Sequence, residues 1–235
     1  MKRTIAQKAF TLVELLIVIA LIAILSVAVL ATINPIEQAN KAKDSTVQND
    51  AAEVMNAYER YYVNGSAYPW MQFTETTPIT VDDSVIYRSD RVGFGICYGP
   101  TTTSSSIEGG CNTSGADLGK LIENDELKTS FAGKGEFQVP GDSYENSLYL
   151  VKSTGSGGSV YVCYIPKAKS NRQLVDKLYC LYNSDSAWGA TGTKELVKVG
   201  DASGGRTCAA LAVTAAGWST PLLDGTTGMF RCVPE

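Results

Sequence analysis

The chain has 235 residues, a net charge of −4 and no histidine. The missing histidine excludes catalytic triads and zinc centres built on imidazole. The acidic balance argues against nucleic acid or an anionic surface as the main binding partner, leaving room only for a local basic patch.

Residues 1–9 form a short leader with Lys2, Arg3 and Lys8. From Leu15 to Ile33 no residue is charged, and only Ser26 and Thr32 are polar. A helix of about 20 apolar residues spans the roughly 30 Å hydrocarbon core of a bilayer. Secretory apolar segments are shorter and end in a small-x-small cleavage site, which does not end this run crisply. The basic leader places residues 1–8 in the cytoplasm and the C-terminal part outside. A plain signal anchor accounts for that much. Glu14 points further, because an ionisable group inside a membrane helix is costly unless paired. A cut between Ala9 and Phe10 would create an α-amine on Phe10, a positive partner at similar depth. Within one subunit about 6 Å of helical rise separates the two groups. A neighbour shifted along the axis could bring its own amine to Glu14.

The run from Ala9 to Leu25, AFTLVELLIVIALIAIL, closely resembles the class III signal of type IV pilins. The shared features are the basic leader, a small residue, Phe-Thr-Leu-Val-Glu and an unbroken apolar helix. The resemblance is strong over residues 1–33 and extends in outline to Pro69. It implies cleavage after Ala9 by a prepilin peptidase, N-methylation of Phe10, and Glu14 as the assembly carboxylate. The chain departs from the family at Ala9, where glycine is usual. Loss of the leader's three cations takes the net side-chain charge from −4 to −7.

Asn34-Pro35 follows the apolar run. Proline removes a backbone hydrogen bond and crowds the preceding turn, so a kink is expected at Pro35. Residues 36–63 read as helix again. Val47, Ala51, Val54, Met55, Tyr58, Tyr61 and Tyr62 line one face, suited to packing on a sheet. The charged residues, Asp44 and Asp50 among them, are expected mostly on the other faces, in solvent. Asn64-Gly65-Ser66 ends the helix with turn chemistry, and Tyr68-Pro69 starts an extended segment.

Beyond residue 70 the chain reads as strands over 84–89, 92–98, 147–152 and 159–165, with weaker candidates over 193–199 and 229–233. Residues 153–158 read as a hairpin loop. Residues 116–130 read as a short helix, with Leu118, Leu121, Ile122 and Leu127 turned inward. Residues 170–182 fit either a helix or a strand. About 170 residues follow the helix, enough for one domain with its own core.

Cys97, Cys111, Cys163, Cys180, Cys208 and Cys232 all lie beyond the apolar run. An even count outside the cytoplasm favours disulfides, although sequence cannot choose the pairing. The simplest expectation joins neighbours: Cys97 with Cys111, Cys163 with Cys180, Cys208 with Cys232. The last pair also fits the pilin resemblance, in which the tail is tied back onto the sheet. Asn64-Gly65-Ser66 and Asn112-Thr113-Ser114 match the N-glycosylation pattern, as chance often produces. Asp82, Asp83 and Asp142 are scattered loop carboxylates, read as solvated rather than as a calcium site. No phosphate loop, nucleophile elbow or metal-spaced cluster occurs.

Together these readings predict an α+β fold in which a long N-terminal helix packs its second half on an antiparallel sheet. The divisions are a leader (1–9), a membrane and assembly helix (10–33), its amphipathic continuation (34–64) and an extracytoplasmic head (65–235). The resemblance implies a non-enzymatic filament subunit needing no cofactor or metal. Its partners would be the lipid bilayer before assembly, a prepilin peptidase, inner-membrane assembly machinery and copies of itself. It would sit in the cytoplasmic membrane and then in a surface or periplasmic filament. A type II secretion pseudopilin and a non-polymerising membrane-anchored binding protein are the alternatives.

Overall fold

The computed structural model describes residues 10–32, 34–72, 80–89, 91–97, 118–137, 146–155, 157–183, 194–199 and 229–234. Helix α1 is Leu12–Thr32 and α2 is Pro35–Gly65, followed by strand β1 (Val85–Arg88) and the one-turn helix α3 (Lys120–Glu123). Strands β2 (Leu148–Lys152) and β3 (Val160–Tyr164) come next, then the one-turn helix α4 (Lys169–Arg172). The chain closes with β4 (Tyr179–Asn183), β5 (Lys194–Lys198) and β6 (Met229–Val233). It divides into two compact units, Met1–Asn40 and Lys41–Glu235, with the division inside α2.

In the first unit, α1 is apolar on every face, and its side chains from Leu12 to Val29 are exposed. Pro35, where a kink was expected, is the first residue of α2. The Asn34 Oδ1 accepts the Glu37 N–H at 3.2 Å. This is an Asn cap with proline in the first helical turn, where its missing N–H costs no hydrogen bond.

Among the described residues of the second unit, six strands form one antiparallel sheet in the order β1-β2-β3-β6-β4-β5. Side chains alternate across it as the pleat requires. One face carries Val85, Tyr87, Leu148, Leu150, Val160 and Val162, packed with Ala51, Val54, Ala57, Tyr58 and Tyr61 of α2. Tyr58 lies at the centre of that layer. Its ring meets Trp70 and Phe94 edge-on, its hydroxyl donates to the Phe94 carbonyl, and burial pushes its pKa well up. The opposite face carries Ile86, Tyr149, Val151, Cys163, Phe230 and Cys232. The sheet curls, and Leu196 of β5 packs beside Tyr149 and Val151 of β2. The architecture is α+β with a pilin-like layout.

Residues 92–98, expected as a strand, begin with a 3-10 turn over Val92–Phe94. Glycine forces the difference. Gly95 has φ +83°, and a Cβ on Gly93 would fall 2.3 Å from the Tyr87 ring, so the backbone approaches too closely for a side chain. Within residues 170–182 the strand reading holds, as β4, whereas α4 ends at Arg172 and no α-helix runs through to Leu178. The helix expected over 116–130 is much shorter, the single turn α3, and Asp125 just beyond it takes φ +58°. Its inward residues are as expected, with Leu121, Ile122 and Leu127 buried and Leu118 partly so.

The cysteine pairing needs correction. Cys163 is bonded to Cys232, not to Cys180. The neighbour rule fails because β6 enters between β3 and β4, which sets Cys232 directly opposite Cys163 in the ladder. The tail is joined to the sheet, but through Cys163 rather than Cys208. Cys97 and Cys180 are also disulfide-bonded. Cys111 and Cys208 lie outside the described residues.

Two carboxylates expected in solvent are buried. Asp50 is held by the Lys134 ammonium at 2.5 Å. Asp44 is 2% exposed and accepts from the Lys167 N–H (2.8 Å), the Ala168 N–H (2.9 Å) and Asn171 Nδ2 (2.7 Å). It therefore ties the turn after β3 to α2. Asp44→Ala would strand these donors and is expected to cost about 3 kcal/mol. Denaturant midpoints check this, and a loss below about 0.5 kcal/mol would show that water replaces the carboxylate freely.

Candidate functional site: the N-terminal helix

α1 begins with a reciprocal cap. The Thr11 Oγ1 accepts the Glu14 N–H at 3.2 Å. In return, Glu14 Oε2 accepts the Thr11 N–H at 3.0 Å and the Thr11 hydroxyl at 2.9 Å. This is a capping box, with threonine at the N-cap and glutamate three residues on. It satisfies two backbone donors that a helix start leaves open. Thr11 is the residue that the sequence reading overlooked. Its signal was present, because Thr-x-x-Glu ahead of an apolar run is the capping-box pattern.

Phe10, the residue before the cap, is 82% exposed. Behind the cap the window Leu12–Val29 has a mean hydropathy of 3.0 and none of it is buried within the chain. A soluble helix shows an apolar stripe and a polar face, whereas one that is apolar all round belongs in lipid or against other apolar helices. Length and hydropathy make α1 long and apolar enough to cross a membrane. Ser26, the polar residue in its middle, donates its hydroxyl to the Ile22 carbonyl at 2.8 Å and so needs no outside partner.

Residues 5–30 match the profile of a family described as Prokaryotic N-terminal methylation motif. The chain carries a prepilin-like class III signal peptide. The match spans Phe10, the cap and most of α1. The motif implies processing by a prepilin peptidase and a membrane-anchored, pilin-like or pseudopilin-like precursor. No curated protein and no solved structure is similar enough to count as a match.

Ala9 lies outside the described residues, as do Asp142 and Asn112. Asp83 accepts from the Thr80 N–H and hydroxyl at 2.7 and 3.0 Å, which makes it a turn residue. Among the described residues, no group of three or more acidic or cysteine side chains could hold a metal. Asn64 donates its Nδ2 to Glu126 Oε1 at 2.9 Å, so the nitrogen a glycan would need serves to dock α2 on the loop after α3. Arg60 docks the same loop, its Nε 2.9 Å from Glu126 Oε2.

Proposed function

We propose that this chain is the structural subunit of a type IV pilus-like filament. It is made as a membrane-anchored prepilin, cut between Ala9 and Phe10, N-methylated on Phe10 and assembled through α1. The observation that carries the reading is the coincidence of the methylation motif with a helix that is apolar and exposed on every face. Such a helix is stable in lipid, and it leaves lipid only for an equally apolar surface, which copies of itself supply. The head remains outside the cytoplasm, a side favoured by the leader's cations and by disulfides in Lys41–Glu235.

The capping box sharpens the role of Glu14. Its Oε2 is engaged by Thr11 of the same chain, so the carboxylate is oriented before any neighbour arrives. Its charge remains available to the methylated amine of the next subunit. Mass spectrometry of the purified protein tests the processing step. The expected N-terminus is N-methylated Phe10, and a chain still starting at Met1 would remove the basis of the reading.

A further inference from the structure

The last turn of α2 carries a dipeptide that the filament reading leaves unused. Asn64 and Gly65 are both exposed, and a Cβ at Gly65 would meet nothing within 4 Å. The helix ends directly after them, where Ser66 takes φ +51° and donates its N–H to the Tyr62 carbonyl at 2.7 Å. Glycine after asparagine leaves the intervening peptide nitrogen without a shielding side chain and its backbone free to turn. Once the helix end frays, that nitrogen can attack the asparagine side-chain carbonyl, a reaction that makes asparagine thermolabile.

Two features of the folded unit hold this reaction back. While α2 stays helical to Gly65, the backbone is not free to fold the Gly65 nitrogen onto the Asn64 side chain. The leaving group is also engaged, because Asn64 Nδ2 donates to Glu126 Oε1 at 2.9 Å. Glu126 is placed for this by its own loop, in which its N–H and that of Leu127 both donate to the Leu121 carbonyl, at 2.9 and 3.0 Å. Arg60 grips the same residue, with Nε 2.9 Å from Oε2 and Nη2 2.6 Å from the Glu126 carbonyl. Asn64, Arg60 and Glu126 thus form one dock between α2 and the loop after α3, and the dock closes over the amide.

We propose that Asn64 is a deamidation site guarded by Glu126, and that its conversion to a carboxylate opens this dock irreversibly. The Gly65 nitrogen bonds to Asn64 Cγ, the Cγ–Nδ2 bond breaks, and Nδ2 leaves as ammonia with the Gly65 amide proton. Water then opens the cyclic imide to aspartate or isoaspartate, with no oxidant or reductant involved. The product sets two carboxylates where an amide met a carboxylate, and carboxylates that share a site repel. Arg60 already commits Nε and Nη2 to Glu126. The new charge also falls at the C-terminal end of α2, the end that disfavours anions. The effect stays local, since the Tyr62 ring remains stacked on Tyr68, 4.5 Å between centroids.

The test uses the full chain in detergent at neutral pH. Peptide mapping by mass spectrometry follows acid formation at position 64 in the native chain, in the chain unfolded in urea, and in Glu126→Ala. Native conversion is expected to be the slowest, with Glu126→Ala about tenfold faster. Native ageing at the unfolded rate, or no acceleration in Glu126→Ala, would overturn the guard. The charge step is read separately, by hydrogen exchange over residues 124–128. Asn64→Asp is expected to speed exchange there about tenfold, and Asn64→Ala, which loses the same bond without adding charge, about threefold. Asn64→Asp with Glu126→Gln exchanges amide and carboxylate across the dock and is expected to return exchange to within about twofold of the native rate. Equal effects of Asn64→Asp and Asn64→Ala, or no recovery in the exchanged pair, would overturn the switch. These Asn64 variants change an exposed position, so they decide the charge step even where Glu126→Ala loosens the fold. Neither measurement requires a filament.

Discussion

Glu14→Gln is expected to abolish incorporation into filaments while leaving the protein in the membrane. The substitution separates two roles that one carboxylate combines. Glutamine at the third helical position still completes a capping box, so α1 should start at the same residue. What disappears is the charge. In the proposed filament the carboxylate would face the methylated amine of the next subunit, a pairing that neutral glutamine cannot make. If the chain assembles as proposed, that pairing recurs at every subunit, so the loss should be complete in a sheared-filament assay. Membrane fractionation should show the variant at normal abundance. Thr11→Ala supplies the opposite control. It removes the cap hydroxyl at about 1 kcal/mol but keeps the charge, and should still assemble. Wild-type filament yield from Glu14→Gln would falsify the charge role and leave Glu14 as a capping residue only.

The same site shows which parts of the chain can be read from sequence and why. An uninterrupted apolar run made α1 legible, and apolar periodicity, which reports what a helix buries, did the same for the Val54–Tyr58–Tyr61 face of α2. The stripe on α2 also contains Asp44, seven residues before Ala51. Composition assigns a carboxylate to solvent. The partners that reverse this come from residues 167–171, more than 120 positions away, and no local pattern contains them. Residues 92–98 were misread for a related reason. Their β-branched and aromatic residues have strand propensity, but Gly93 and Gly95 mark a close backbone approach. The pairing of Cys163 depended on strand order, and that order became visible only once β6 was placed between β3 and β4. Thr11 is a different case, since its capping pattern was local and complete.

Removing the Cys163–Cys232 bond, as Cys163→Ala with Cys232→Ala, is expected to cost about 3–4 kcal/mol. The two cysteines are 69 residues apart, and closing a loop of that length in the unfolded chain accounts for about 4 kcal/mol in the entropic view. Any cross-link made by Cys180 within that interval would reduce the figure somewhat. Alanine is chosen because both sites are buried, and a serine hydroxyl there would add its own desolvation cost. The effect should not be uniform. β6 is the strand through which β1–β3 and β4–β5 become one sheet, yet it holds β3 by three paired residues and β4 by two. The disulfide fastens β6 at its β3 side. Without it, hydrogen exchange should accelerate across β4, β5 and β6 well before β1 and β2, whose ladder with β3 stays intact. Uniform acceleration in all six strands would mean that the bond acts only on the unfolded chain. A loss below about 1 kcal/mol would mean that the ladder alone fixes β6. Selective opening would identify the β3–β6 seam as the place where the sheet parts first, and the disulfide as the bond that resists it.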